Sequence, residues 1–294
     1  MSNIIPFDQR DGFIWYNGQI VEWKDAKVHV LNHGLHYASC VFEGERVYNK
    51  KIFKSTKHSE RLHNSASMLG FEIPYSVADL DKFKKEIVAK QNIVDGYIRA
   101  FAWRGSEQMA ISAQQTKIHT AIACWTWPSY YSQEARQAGL KLQFAKYKRP
   151  SPETAPIAAK ASGLYMICTI SKHEAEKNGY NDALMLDYRG FLAEATGANL
   201  FLVMKNGEIH TPLPDCFLNG ITRQTVIELA RAKGLKVVER HIKPEELADA
   251  ADVFITGSAA EVTRVGAIGE QYKYPQISPI TLDLMEAYSA LVLS

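Results

Sequence analysis

The chain predicts an α+β protein in two domains, and three observations carry that expectation. Asn17-Gly18 stands between the aromatic and β-branched runs FIWY and QIVEW, the pattern of a two-residue hairpin turn. Strand-like runs alternate with helical periodicity in both halves. Between the halves, the polar and proline-bearing segment 128–138 shows no strand alternation and reads as a linker. The expected division is a small N-terminal domain over 1–127 and a larger C-terminal domain over 139–294.

After the hairpin, strands are expected at 27–30 and 41–48, helices at 57–69 and 76–91, and strands at 97–103 and 117–126. In the second half KLQFAKY, ALMLDY, NLFLVM and VVERHI read as strands. Helices are expected over 163–178 and 222–233, stopped by Gly179 and Gly234, because glycine accepts the left-handed turn that ends a helix.

At 294 residues, with 46% hydrophobic and 22% charged, the chain can bury substantial cores as a soluble globular protein. Its net charge of +2 is dispersed and leaves no nucleic-acid footprint; the basic stretch 141–149 interleaves charge with apolar residues and reads as a solvated face. Cys40, Cys124, Cys168 and Cys216 are widely separated and form no C-x-x-C, which argues against a disulfide framework and fits a reducing cytoplasm. The N-terminus lacks an apolar stretch of signal-peptide length, and no run approaches the roughly 18 apolar residues of a membrane span. A cytoplasmic location is therefore expected. Neither G-x-G-x-x-G nor a G-x-x-x-x-G-K-[ST] loop occurs, so a dinucleotide or nucleoside triphosphate site of the usual kind is not expected. His29, His33 and His36 are unevenly spaced from a strand-like KVHV run, and no metal site is expected from them.

The chemistry concentrates in AAKASGLYMICTISKHEAEKNGYNDALMLDYRGFLAEATGANLF. Lys160 sits among small residues where burial would lower its pKa towards a usable amine. Glu194 is a strand-end carboxylate followed by small residues and Asn199. A lysine amine and a carboxylate at opposite ends of one pocket are what pyridoxal 5'-phosphate (PLP) requires, the amine to link the aldehyde and the carboxylate to keep the ring nitrogen protonated. Spacing alone does not separate this pair from solvated surface residues. Gly220-Ile221-Thr222 opens a helix with an apolar face at Val226, Leu229 and Ala230; with Thr222 as N-cap candidate its first amides suit an anion, and an ordinary capped helix fits the same residues. Arg61 lies in a charge-rich helical stretch where an i,i+3 or i,i+4 ion pair is the plain alternative. Tyr97 and Arg99 share one strand face, and Arg104 is the alternative cation, facing away on a regular strand.

The segments HGLHYASCVFEGERVY, HSERLHNSA, GYIRAFAWRG, AAKASGLY, LAEATGANLF, NGITRQTVIELA and ITGSAAEVT resemble, in this order, the branched-chain amino-acid aminotransferases of the class IV, fold type IV PLP enzymes. The resemblance runs over about residues 13–265. It implies a small open α/β domain and a larger pseudo-barrel domain, with the cofactor between them. It implies that Lys160 carries the cofactor and moves the proton, that Glu194 supports the ring nitrogen with Asn199 among the cofactor-binding residues, that Tyr165 donates to the ring oxygen, and that Leu218 supports the ring. Arg61, the Ile221 and Thr222 amides and the Ser258 hydroxyl would hold the phosphate. Tyr97 with the Ser258 and Ala259 amides would receive the α-carboxylate, and Arg99 with Tyr130 the distal carboxylate of glutamate. Phe42, Trp127 and Tyr37 of a neighbouring subunit would wall an apolar pocket.

The activity so implied moves the amino group between L-leucine, L-isoleucine or L-valine and 2-oxoglutarate, yielding branched 2-oxo acids and L-glutamate, in a homodimer or a hexamer of dimers. Two positions depart from many relatives: Leu164 stands for Asn and Asn219 for Pro, which touches pocket shape more than reaction type. A D-amino-acid or (R)-amine transaminase and an aminodeoxychorismate lyase share the fold; Tyr97-x-Arg99 favours the branched-chain enzyme over them. Intact Lys160, Tyr165 and Glu194 argue against a cofactor-binding protein without turnover.

Overall fold

In the computed structural model, which describes residues 5–127 and 133–294, the hairpin forms as β1 (Phe13–Tyr16) and β2 (Gln19–Glu22). Asn17 and Gly18 both take positive φ, the left-handed pair that a turn matching the strand twist demands. The chain divides into two compact units, Met1–Pro128 with Ala159–Gly163, and Ser129–Ala158 with Leu164–Ser294. Among the described residues no helix is long and apolar enough to cross a membrane.

The first unit continues with α1 (His33–Tyr37), β3 (Cys40–Phe42), β4 (Glu45–Tyr48), β5 (Lys51–Ile52), α2 (Ser55–Met68), α3 (Val77–Lys90), β6 (Gly96–Arg104) and β7 (Ile118–Thr126). Its open sheet runs β2-β1-β7-β6-β4-β5, with β3 also on β6. The expected strand 41–48 is thus two pieces broken at Glu43-Gly44, both antiparallel to β6. A capping box of Ser76 and Asp79 starts α3, and Trp15 stacks on Phe83 at 4.4 Å beneath it. The inward face of α2 is unusually polar: His58, Ser59 and Ser65 are buried beside Leu62 and Ala66.

Two expectations fail here. Residues 27–30 are not a strand; the Val28 and Val30 alternation has no partner strand among the described residues and both side chains stay exposed. His33 and His36 lie on α1 and bond to backbone, His33 Nε2 with Ala110 O at 2.9 Å and His36 Nε2 with Val30 O at 2.8 Å. The second concerns Lys160, grouped with 139–294 by the sequence. Its segment joins the first unit because Phe42 N donates to Lys160 O at 3.0 Å, Ala161 bridges Val41, and Lys160 N donates to Ser65 Oγ at 3.0 Å. Such non-local pairing leaves no trace in local periodicity.

The second unit comprises α4 (Gln133–Ala138), β8 (Leu140–Phe144), α5 (Met166–Lys177), β9 (Asp182–Leu186), β10 (Leu192–Ala195), β11 (Asn199–Met204), β12 (Ile209–Pro212), α6 (Ile221–Ala232), β13 (Val237–Arg240), β14 (Ala250–Gly257), β15 (Glu261–Ile268), β16 (Tyr272–Lys273) and α7 (Pro279–Leu293). The strands run β10-β9-β8-β15-β14-β11, and pairing of β10 with β11 at Glu194 and Asn199 closes that path into a barrel, with β12 and β13 extending from β11. Leu142, Leu184, Leu200, Leu202, Val253 and Val265 belong to its packed core. Of the expected linker, 128–132 lie outside the described residues and 133–138 form α4, packed on β15.

The reading of 141–149 as a solvated face holds for Lys141, Lys146 and Lys148, which are exposed, and fails for Leu142 and Arg149. Strand β8 lies between β9 and β15 with Leu142 fully buried, and Arg149 is only 4% exposed because an ion pair inside the unit holds it.

Candidate active site

Each unit gathers one set of the expected residues. In the first, β3 brings Phe42 beneath two cations: Lys160 Nζ lies 5.0 Å and Arg99 Cζ 4.6 Å from its ring centroid. Burial and the Arg61 charge push the Lys160 amine down to about 8, against the opposing pull of Glu43. That places a fraction of neutral amine within reach near neutral pH.

Strand β6 aims Tyr97 and Arg99 to one side, and Arg99 Nη2 donates to the Tyr97 hydroxyl at 3.5 Å. Arg99 Nε is buried without a hydrogen-bond partner among the described residues. A carboxylate is the acceptor that such a nitrogen suits. Trp127 meets Tyr97 edge-on, with ring centroids 4.7 Å apart. Gly44 makes this possible, since a Cβ there would stand 1.8 Å from the Tyr97 hydroxyl oxygen. Arg104 is occupied elsewhere, donating to Ala113 O at 3.1 Å and Gly70 O at 2.7 Å. Tyr37 is exposed and stacks on His33 at 4.7 Å. Tyr130 lies outside the described residues.

Arg61 projects from α2 with its Nε and Nη2 edge on Glu43, at 2.7 and 2.8 Å. The sequence reading anticipated a guanidinium fork for phosphate and did not single out Glu43. Burial pushes the Glu43 carboxyl up, but Arg61 and His58 more than reverse this and hold it well below the usual carboxylate range.

In the second unit, Glu194 on β10 is 8% exposed and is held from two sides: Asn199 Nδ2 donates to Oε2 at 3.1 Å, and Arg149 Nε lies 3.4 Å from Oε1. Sequence reading missed Arg149, whose partner is far along the chain. Asn199 also ties down the next loop, donating to Leu218 O at 3.0 Å and accepting from Gly220 N at 3.1 Å. Gly220 is required at that approach, because a Cβ would meet Asn199 Oδ1 at 2.2 Å. It is Gly220, not Thr222, that caps α6; the helix starts at Ile221 with no side-chain cap, so its first amides have no intrahelical acceptor. Buried Arg223 braces the same loop by donating to Asn219 Oδ1 at 3.0 Å and Pro212 O at 3.1 Å, which gives the Asn219 departure a structural use.

Tyr165 and Ala259 line a cavity of about 340 Å³ together with Thr196, Ala198 and Ile255. Ser258 is half-buried in the turn between β14 and β15. The only grouping of potential metal ligands among the described residues, Asp187, Asp215 and Cys216, surrounds the guanidinium of Arg189, which bonds to all three.

The first unit carries a depressed lysine amine and a buried guanidinium nitrogen with no hydrogen-bond partner among the described residues, and the second a doubly supported carboxylate and an uncapped helix start; the chemistry of each of these groups suits a phosphorylated aldehyde cofactor or a carboxylate substrate. An open sheet in one unit and a six-strand barrel in the other, carrying these groups, define a fold type IV aminotransferase. The chain matches the family Amino-transferase class IV over residues 40–268 and belongs to that family.

The branched-chain-amino-acid aminotransferase of Pseudomonas aeruginosa is 39% identical over 288 residues, covering 96% of this chain and 94% of its own. The crystal structure of the Escherichia coli branched-chain amino acid aminotransferase superposes with a TM-score of 0.92 at 34% identity, covering 96% of this chain and 95% of that one. A T.th. branched-chain amino acid aminotransferase, solved in one structure with pyridoxamine 5'-phosphate, gives 0.92 at 35% identity, covering 97% of this chain and 95% of its own. Complexed with N-(5'-phosphopyridoxyl)-L-glutamate, the same protein gives 0.91 at 34% identity, with the same coverage.

Proposed function

We infer that this chain is a PLP-dependent branched-chain amino-acid aminotransferase, exchanging the amino group of L-leucine, L-isoleucine or L-valine with 2-oxoglutarate. The observation that carries this reading is Arg99, a cation with an unsatisfied buried nitrogen set among Phe42 and Tyr97, beside the Lys160 amine. Aromatic walls accept a branched apolar side chain, and the Arg99 guanidinium accepts the distal carboxylate of glutamate. The names of the relatives support the same substrates.

When bound, PLP supplies an aldehyde that takes up the amino group and a ring that withdraws electrons from the substrate Cα. Lys160 holds the cofactor, and its neutral Nζ then removes the proton from the substrate Cα, a step worth roughly 10² to 10⁴ in rate. Glu194 keeps the ring nitrogen protonated, and Arg149 and Asn199 keep Glu194 charged and oriented. Arg61, the Ile221 and Thr222 amides and the Ser258 hydroxyl hold the phosphate; Tyr165 donates to the ring oxygen, and Leu218 supports the ring. Tyr97 and the Ser258 and Ala259 amides receive the α-carboxylate. Arg99 and Tyr130 receive the distal carboxylate, while Phe42, Trp127 and Tyr37 of a neighbouring copy exclude water from the apolar side chain.

The enzyme works as a homo-oligomer. Val30 and Leu35, 72% and 68% exposed, flank Tyr37, and the loop carrying Ile111 is tied to α1 through the His33 bond to Ala110. That is an apolar surface of the kind a second copy covers. Sedimentation of the wild type against Leu35→Asp reads this directly, with the variant expected to fall to a smaller species.

Turnover of a panel of L- and D-amino donors, with 2-oxoglutarate or pyruvate as acceptor, tests the activity. Glutamate release from L-leucine, L-isoleucine and L-valine is expected; preferential use of D-alanine would overturn the assignment.

A further inference from the structure

Glu43 is a fully buried carboxylate in the break between β3 and β4, and the chemistry of amino transfer gives it no direct task. Its backbone N donates to Ala100 O at 2.7 Å, which fixes the residue to β6. Its carboxylate accepts from Arg61 Nε at 2.7 Å, Arg61 Nη2 at 2.8 Å, His58 Nδ1 at 2.6 Å and Gly44 N at 3.3 Å. Arg61 Nε takes Oε1, and the other three donors converge on Oε2, so both carboxylate oxygens are engaged. Because Glu43 is ionised, His58 carries its proton on Nδ1 and donates.

A second buried carboxylate, Glu45, follows two residues later at the start of β4. It does not compete for Arg61, because Lys84 from α3 holds it at 2.8 and 3.0 Å and is itself anchored by Ser59 Oγ at 2.7 Å. Two carboxylates are thereby sorted between two cations, Arg61 to Glu43 and Lys84 to Glu45. Buried ion pairs seldom add stability over apolar packing, so this arrangement calls for another use. A long side chain locked before it meets its ligand loses less entropy on binding than a mobile one.

We propose that Glu43, with His58, is a positioning residue that locks the Arg61 guanidinium in the single orientation that receives the cofactor phosphate. The inference rests on the reading of Arg61 as a phosphate-holding residue. The role of Glu43 toward the phosphate is exercised through Arg61, which it holds by two hydrogen bonds.

The test is the affinity of the full-length chain, stripped of cofactor, for PLP and for pyridoxal, which lacks the phosphate, measured by absorbance titration. Glu43→Gln also removes the Glu43 pull on the Lys160 amine, which acts on both ligands alike, so the expected signature is a roughly tenfold fall in the ratio of PLP to pyridoxal affinity, from the charge-assisted phosphate contact that is weakened. Arg61→Ala is expected to show the same selectivity, and His58→Gln a smaller loss in the same direction. Equal weakening of both ligands by Glu43→Gln, or of neither, overturns the proposal. If Arg61→Ala leaves the ratio of PLP to pyridoxal affinity at the wild-type value, the phosphate reading of Arg61 fails and the positioning role falls with it; if Arg61→Ala collapses the ratio and Glu43→Gln does not, the positioning role alone fails. Should Glu43→Gln not fold by circular dichroism, Glu43→Asp and His58→Gln carry the same comparison, with unchanged ratios in both counting against the proposal.

Discussion

Arg149 Nε sits 3.4 Å from Glu194 Oε1, and neither residue has more than a sliver of surface left in water. Removing the cation leaves a buried carboxylate leaning on the Asn199 amide, and breaking one side of such a pair costs about 3 kcal/mol. Arg149→Met is therefore expected to lower the thermal midpoint by several degrees. It should also make Glu194 easier to protonate, so that turnover is lost at higher pH than in the wild type. An unchanged midpoint and acid limb in the pH–rate profile would mean that Arg149 is packing alone.

The Lys160 amine, held near 8, sets a second expectation. An ammonium does not attack an aldehyde, so capture of PLP by the stripped protein should accelerate as pH rises through about 8 and level off above it. An ordinary lysine would keep accelerating towards 10.5. The linkage has the same sign: between about 8 and 10.5 the folded chain binds fewer protons at this site than the unfolded chain, so the Lys160 contribution to stability becomes more favourable with rising pH. Stopped-flow absorbance of PLP uptake from pH 6.5 to 10 reads the midpoint, and a curve still climbing at pH 10 would contradict it.

Gly44→Ala should displace Tyr97, since the added carbon would lie 1.8 Å from its hydroxyl oxygen and 2.7 Å from Cζ. Overpacking of this kind costs about 1–3 kcal/mol. Because Tyr97 is assigned to the α-carboxylate shared by every substrate, KM should rise for leucine and glutamate alike, and by more than in Tyr97→Phe, which removes the hydroxyl and leaves the ring on Trp127. Steady-state kinetics on both amino acids decide this; a Gly44→Ala enzyme with wild-type KM values would show that the loop yields instead.

Arg99→Ala should separate the two halves of the reaction. The charged distal carboxylate of glutamate needs a paired cation in an apolar setting, whereas leucine needs only dry walls. Single-turnover spectra should show the glutamate half-reaction depressed by an order of magnitude or more beyond the leucine one. Equal loss in both would assign Arg99 to the α-carboxylate.

Features governed by neighbours in the chain were legible in the sequence. Asn17-Gly18 announces its hairpin because few other residues accept two left-handed conformations in succession, and helical periodicity over 76–91 announces α3 because it is set by spacing along the chain. Features governed by distant partners were not. The Val28 and Val30 alternation imitates a strand, yet a strand needs a neighbour to bond. Arg149 looks solvated in LQFAKYKRP until Glu194 is folded against it. Gly220 caps α6 without a side chain to advertise it, so Thr222 attracted the expectation. Most of the candidate site came from the resemblance; Glu43 did not, because a carboxylate between two strand fragments carries no signal of the helix that will bond to it.

The placement of Lys160 on the edge of β3 bears on how the chain is made. The Phe42 amide and the Val41 bridge are completed only by residues 160 and 161, so the first unit cannot finish its own fold while the N-terminal portion alone has left the ribosome. During synthesis β3 waits as an unsatisfied edge until the lysine segment arrives, a long loop closure that makes this the slow contact of the unit. A fragment stopped at Pro128 would lack both the catalytic amine and the bridging segment that meets β3, and aggregation through that open edge is its expected fate.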